Sequence, residues 1–346
     1  MHVFLTRADH NRAMQGHLLQ ADGEVAQATA DSVTRAVDGS RFFWLDLMDL
    51  ADDGVTVLRD TFGFHPLAVE DAEHFGQRPK LDAYDDFVYL VIHGARHDGN
   101  GTVEVHFFFS EHYLVTVRRT ECPAIDTIRD KEARAGREQG EPREQGQPSE
   151  RSEPILLLYR VIDALVDTFF PVLAQFDDEI DDLEDAILQK PTDAQLGTLF
   201  TMKRELVGLR KVVTSERDMF AELIAGISPL PGMTPDAERY FRDLYDHLIR
   251  ISDLVDSYRD LLTGAMDTHL STVSNRLNEV TKQLTIIATI FLPLSFLTGF
   301  FGQNFAWMVK ELNSFGAFLV LGVGLALAAV IALLVLFRRR GWMGGS

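Results

Sequence analysis

The chain has 346 residues, with 33 Lys and Arg against 52 Asp and Glu and a formal net charge of −19. Such acidity excludes phosphate-backbone binding, and hence nucleic acid, as its main task; it suits divalent cations, although most acidic surface only solubilises. A single cysteine, Cys122, rules out an internal disulfide and any cysteine-based zinc cluster within one chain.

The N-terminus, MHVFLTRADHNRAMQ, has no apolar h-region, so no signal peptide is expected. Residues 1–120 read as mixed α/β. The runs 41–47, 87–94, 103–110 and 112–119 are β-rich, and Asp98-Gly99-Asn100-Gly101 is a hairpin-type turn between the second and third. DDGVTVLRDTFG and PLAVEDAEH read as short helices between strands, and an open sheet covered by helices is the simplest packing. His93, His97, His106 and His112 cluster around the hairpin, with Glu104 and His106 on one strand face. Zinc is one reading of them; half-buried or surface strand residues is the commoner one. Residues 131–153 contain no large apolar side chain and read as a solvated linker or frayed helix.

Helices follow. Ile155 to about Gln189 reads as one helix and Thr192 to about Ala225 as a second, with Pro191 between them. The stretch Phe176–Asp185, FDDEIDDLED, is either a solvated face or a negative patch opposite something basic such as Arg338–Arg340. A third helix runs from about Pro235 to Phe301. Its apolar residues recur in steps of three and four from Phe241 to Leu284, a stripe too long for a monomer to bury against itself; helices bundled about an axis in an oligomer would bury it.

No charge occurs from Gln283 to Val309 or from Leu312 to Phe337, and each run is long enough to cross roughly 30 Å of hydrocarbon. Arg276, Lys282 and the Arg338–Arg340 cluster flank these spans, while the connecting loop carries only Lys310 and Glu311. The positive-inside rule then places both termini in the cytoplasm of a cell whose inner membrane holds the protein. Along the first span one face carries Asn278, Thr281 or Thr285, Leu284, Ala288, Leu292, Ser295, Gly299 and Gly302. Small and hydroxyl side chains there suit tight helix packing or a narrow lumen, and Leu284, Ala288 and Leu292 suit a dewetting gate or bundle core. At its end stands Gly302-Gln303-Asn304. A ring of neutral carboxamide oxygens accepts hydrogen bonds from the waters of Mg²⁺, an ion that dehydrates reluctantly; a helix C-cap would use the same residues. No G-x-x-x-x-G-K-[ST], H-E-x-x-H or G-x-S-x-G occurs, so neither ATP coupling nor an enzyme is expected.

SNRLNEVTKQLTIIATIFLPLSFLTGFFGQNF (274–305) resembles the first membrane helix and signature loop of the CorA family of divalent-cation channels. QRPKLDAYDDFVYLVI (77–92), residues 157–185 and YFRDLYDH (240–247) are similar to that family in the same order. The resemblance implies a funnel-shaped homopentamer in a lipid bilayer, with a cytoplasmic αβα domain (1–153), an acidic helical hairpin (154–234), a stalk and pore-lining helix (235–301), an external signature loop (302–314), a second membrane helix (315–337) and a basic tail (338–346). It implies transport of Mg²⁺, with Co²⁺ and Ni²⁺ as surrogates, through a filter of Gly302, Gln303 and Asn304 and a ring of Arg338, Arg339 and Arg340. It also implies regulatory Mg²⁺ between subunits at Glu70, Asp71, Asp167 and Asp243. The family signature is Gly-Met-Asn, and Gln303 departs from it. Members with other middle residues include the ZntB-like zinc transporters, so a proton-coupled Zn²⁺ transporter is the alternative, and a non-conducting ion sensor a second.

Overall fold

The computed structural model describes residues 14–96, 99, 101–139, 153–303, 306–311 and 314–342. The expected positions His97 and Asn304 lie outside the described residues. The chain divides into two compact units, residues 1–185 with 193–265 and residues 186–192 with 266–346.

The first unit opens with β1 (Gln15–Gln20), β2 (Val25–Gln27), α1 (Ala30–Val37) and β3 (Phe43–Met48), followed by α2 (Asp52–Thr56) and α3 (Pro66–Glu73). β4 (Lys80–Ala83), β5 (Val88–Ala95), β6 (Thr102–Phe109) and β7 (Tyr113–Arg118) complete a seven-stranded sheet of order β2-β1-β3-β7-β6-β5-β4. Only β3 and β7 pair in parallel; the other neighbours are antiparallel. Sequence reading finds β3, β5, β6 and β7 but not the polar β1, β2 and β4.

β5 is buried at every position, as a central strand covered on both faces must be. On one face Leu45, Leu47, Tyr89, Val91, Phe108, Val115 and Val117 meet Val33, Leu58 and Val69 from the small helices. On the other, α4 (Pro123–Gln139) and α5 (Pro154–Asp167) cover the sheet. Arg118 and Asp46, both buried, pair at 2.9 Å, and Asp126 and Arg129 of α4 complete the network. α5 crosses β5 at Gly94, where a Cβ would lie 2.8 Å from the Leu165 carbonyl oxygen, so only glycine fits. The sandwich expected from sequence is therefore present. The first part of the expected linker, residues 131–139, belongs to α4.

The helix expected over 155–189 is two helices, α5 and α6 (Phe169–Gln189), which part at Thr168. The Thr168 hydroxyl donates to the Leu165 carbonyl and accepts the Ala95 amide at 2.7 Å, so it serves the sheet edge as well as the helix end. α7 (Asp193–Ile224) then packs beside the start of α8 (Pro235–Phe301), a single helix of 67 residues. Arg210 to Asp256 at 2.7 Å and Lys203 to Thr263 at 3.0 Å fasten the two.

In the second unit α8 continues to Phe301 through Pro293. α9 (Ala306–Glu311) stands in the connecting loop, where no helix was expected. α10 (Phe315–Ala317) and α11 (Leu325–Arg339) form one run, Phe315–Arg339, with a π-helical segment between them. This run and α8 are both long and apolar enough to cross a membrane. Leu294, Val323 of the π-helical segment and the α11 residues Ala326 and Val330 line an open apolar groove of about 580 Å³.

Candidate metal cluster and membrane face

Asp163 and Asp167 lie one turn apart on α5, and Asp243 and His247 one turn apart on α8, so each pair shares a helix face. The fold brings the two faces together. His247 Nδ1 stands 3.5 Å from Asp163 Oδ1 and 3.6 Å from Asp167 Oδ1; its Nε2 stands 3.8 Å from Asp243 Oδ2. Neither Asp163 Oδ1 nor His247 Nδ1 has a hydrogen-bond partner. Burial raises the Asp163 carboxyl above its ordinary range, and the Asp167 charge adds to the rise. Three carboxylates around one imidazole therefore repel in the absence of a cation. Two ligands bound about 2.1 Å from an ion stand at most about 4.2 Å apart, so the 3.5 and 3.6 Å spacings at Nδ1 suit a divalent metal, whereas Asp243 faces the other ring nitrogen and would not share an ion held by Nδ1. Among the described residues, Asp163, Asp167 and His247 are the group whose ligand atoms converge, all within 4.8 Å of one another.

Sequence reading found Asp167 and Asp243 but missed Asp163 and His247. The available signal was the four-residue spacing from the residues it did name. Glu70 and Asp71 lie on α3, outside this group. Asp71 Oδ2 accepts from Lys80 Nζ at 2.7 Å, and Lys80 also bridges Asp82 at 2.7 Å.

The second candidate feature is the membrane part of α8. Ile286, Ile290, Pro293 and Leu297 are half-buried, whereas Asn278, Thr281, Leu284, Ala288, Leu292, Ser295 and Gly299 are exposed. Ala288, Leu292, Ser295 and Gly299 each fall two residues beyond a covered position, a rotation of about 200° at 3.6 residues per turn. The small and hydroxyl face thus lies on the far side of α8 from its covered stripe. α8 stops at Phe301; Gly302 N–H donates to the Thr298 carbonyl at 2.9 Å and Gln303 N–H to Phe300 at 3.3 Å. Gly302 does not adopt positive φ, so the usual left-handed reason for a C-cap glycine is absent. A Cβ there would lie 2.9 Å from the Thr298 carbonyl oxygen. Arg338, Arg339 and Arg340 are exposed at the end of α11.

The strand histidines are held by hydrogen bonds and burial. Glu104 lies 3.0 Å from His106 Nε2 and takes the Gly76 and Gln77 amides at 2.6 and 2.9 Å; the Tyr89 hydroxyl bonds His106 Nδ1. His112 stands apart, before β7, with its amide on the Ser110 hydroxyl.

Residues 39–339 match the family described as "CorA-like Mg2+ transporter protein". The chain is 33% identical over 342 residues to the cobalt/magnesium transport protein CorA of Thermotoga maritima, covering 97% of this chain and 93% of that one. It is 24% identical to the zinc transport protein ZntB of Yersinia enterocolitica, over 88% of each. The complete structure of the CorA magnesium transporter from Methanocaldococcus jannaschii superposes with a TM-score of 0.76 at 21% identity, covering 96% of this chain and 100% of that one. With a matching fold, two apolar helices of spanning length and family similarity along nearly all its length, the chain belongs to the CorA-like Mg²⁺ transporter family.

Proposed function

We propose that the chain is a passive divalent-cation channel for Mg²⁺, with Co²⁺ and Ni²⁺ as surrogates, working as a homopentamer with both termini in the cytoplasm. The observation that carries this reading is that one helix, α8, bears both halves of the device. Its first part presents Asp243 and His247 to the α5 carboxylates, and its membrane part leaves a small, hydroxyl-bearing face uncovered. In a ring of copies that face encloses a narrow path, with Leu284, Ala288 and Leu292 as its apolar constriction and Gly302, Gln303 and Asn304 at its mouth. Two charges moving inward gain ~4.6 kcal/mol per 100 mV, so no other energy source is needed. Arg338–Arg340 anchor the cytoplasmic end.

Closure falls to cytoplasmic Mg²⁺ bridging Asp167 and Asp243 to Glu70 and Asp71 of a neighbouring copy. Without the ion the carboxylates repel and the ring loosens. Lys80 must then give up or share Asp71 when metal binds. A second reading, zinc transport, draws on His247, because imidazole suits Zn²⁺ and Co²⁺ better than Mg²⁺.

Flux through purified protein in liposomes tests both. Mg²⁺ and Co²⁺ influx should scale with an inside-negative potential and ignore a pH gradient. Asp71→Asn combined with Asp243→Asn should keep conducting when internal Mg²⁺ is high. Zn²⁺ flux that requires a pH gradient would favour the zinc reading, and flux no greater than in empty liposomes would leave only a sensor.

A further inference from the structure

β5 is longer than its edge neighbour. β4 pairs with it only as far as Val91, so the amides of His93 and Ala95 project beyond the last ladder partner. An unpaired buried amide costs about as much as a lost hydrogen bond, and helices supply the missing acceptors here. Thr168 takes the Ala95 amide at 2.7 Å, and Glu216 of α7 takes the His93 amide at 2.6 Å. Glu216 is completely buried, and its second oxygen, Oε2, has no partner. His93 Nδ1, 4.0 Å from Glu216 Oε1, is buried and also unpartnered.

Among the described residues, none offers Glu216 a countercharge. His93 on β5 is pushed down to about 4 by burial, against the pull of Glu104, and is neutral at pH 7. Glu104 on β6 already spends its charge on His106 and two amides. Lys80, on the neighbouring β4, is engaged by Asp71 and Asp82. Tyr89 is bonded to His106. A carboxylate sealed in such a place is far costlier than a carboxylic acid.

We infer that Glu216 is a proton-binding site, and that α7 docks on the open edge of β5 with one proton taken up there. The inference is independent of metal binding and transport. Burial pushes this carboxyl up to about 8, opposed only by the His93 amide. The linkage has a definite sign. The acid form's contribution to stability is complete below the unfolded value near 4.5 and is lost as pH rises through about 8. An alkaline cytoplasm would thus loosen the hairpin from the sheet.

Infrared spectra of the full-length protein in detergent, combined with thermal unfolding across pH 6 to 9, test the site. A protonated-carboxyl stretch should be present at pH 7 and fade through pH 8. It should persist in Asp163→Asn, which removes the other raised carboxyl, and vanish in Glu216→Gln. The amide of Glu216→Gln still accepts from His93, so that variant should fold and lose one proton's worth of pH dependence in its unfolding. Absence of the band, its loss only in Asp163→Asn, or parallel pH profiles for wild type and Glu216→Gln would each overturn the inference. If Glu216→Gln does not fold, the band in Asp163→Asn still decides: titration near pH 8 supports the site, and no titrating band sinks it.

Discussion

The two halves of α8 carry the same apolar stripe and meet opposite fates. From Phe241 to Ala265 the stripe residues Phe241, Leu244, Leu248, Ile251, Val255, Leu262 and Ala265 are sealed by α5, α6 and α7 of the same chain. From Leu270 onward the stripe is bare: Leu248 is 0% exposed, Leu277 65% and Leu284 66%. Periodicity thus specifies a face that needs cover without saying who supplies it. The first half is buried within one chain, while the stripe as a whole, as its length led one to expect, is not. The second half keeps the need for lipid or further copies, since a bare apolar surface of that length is not stable in water.

The sharpest way to break the comparison is to cut into the covered half. Phe241 lies between Phe220 of α7 and Tyr159 of α5, with ring centroids 6.4 and 5.9 Å away. Phe241→Ala should cost about 3–5 kcal/mol and lower the unfolding temperature by several degrees. Differential scanning calorimetry in detergent reads it; an unchanged transition would mean that the covered half does not hold the first unit together.

The candidate metal cluster also reaches the covered half, and its loss is the next largest expected effect. At Co²⁺ or Mg²⁺ concentrations 100-fold above the dissociation constant, binding to the native state should add about 2.7 kcal/mol to stability. Asp167→Asn with His247→Ala should abolish that gain while leaving the metal-free transition nearly where it was. A full metal-induced rise in the double variant would remove these residues from the site.

Much of this was legible in the sequence, and the reasons are local. β5, β6 and β7 announce themselves because both faces are buried and their residues are almost uniformly apolar or aromatic. β1, QGHLLQ, lies near the sheet edge and β4, KLDA, at it, so their composition is that of a loop. The break at Thr168 has a local signal that went unread, Pro171, which cannot donate to the Asp167 carbonyl, whereas the strand amide that Thr168 accepts arrives from 73 positions away. Asp167 and Asp243 were recognisable by family resemblance, whereas Asp163 and His247 had only their four-residue spacing from these to mark them until α5 met α8. Glu216 was hidden for the same reason: one acid on a mixed helix looks exposed until the edge of β5 closes over it.

The smallest change in stability should come from the bare half, and it separates the halves most cleanly. Leu277 touches no sealed core in its own chain, so Leu277→Ala should shift unfolding of the first unit by no more than about 0.5 kcal/mol. If copies of α8 cover one another there, the same substitution should move the assembly toward smaller species in mass measurements on detergent-solubilised protein. A large stability loss with unchanged assembly would reverse the assignment, because Leu277 would then be packed within its own chain, as Leu248 is.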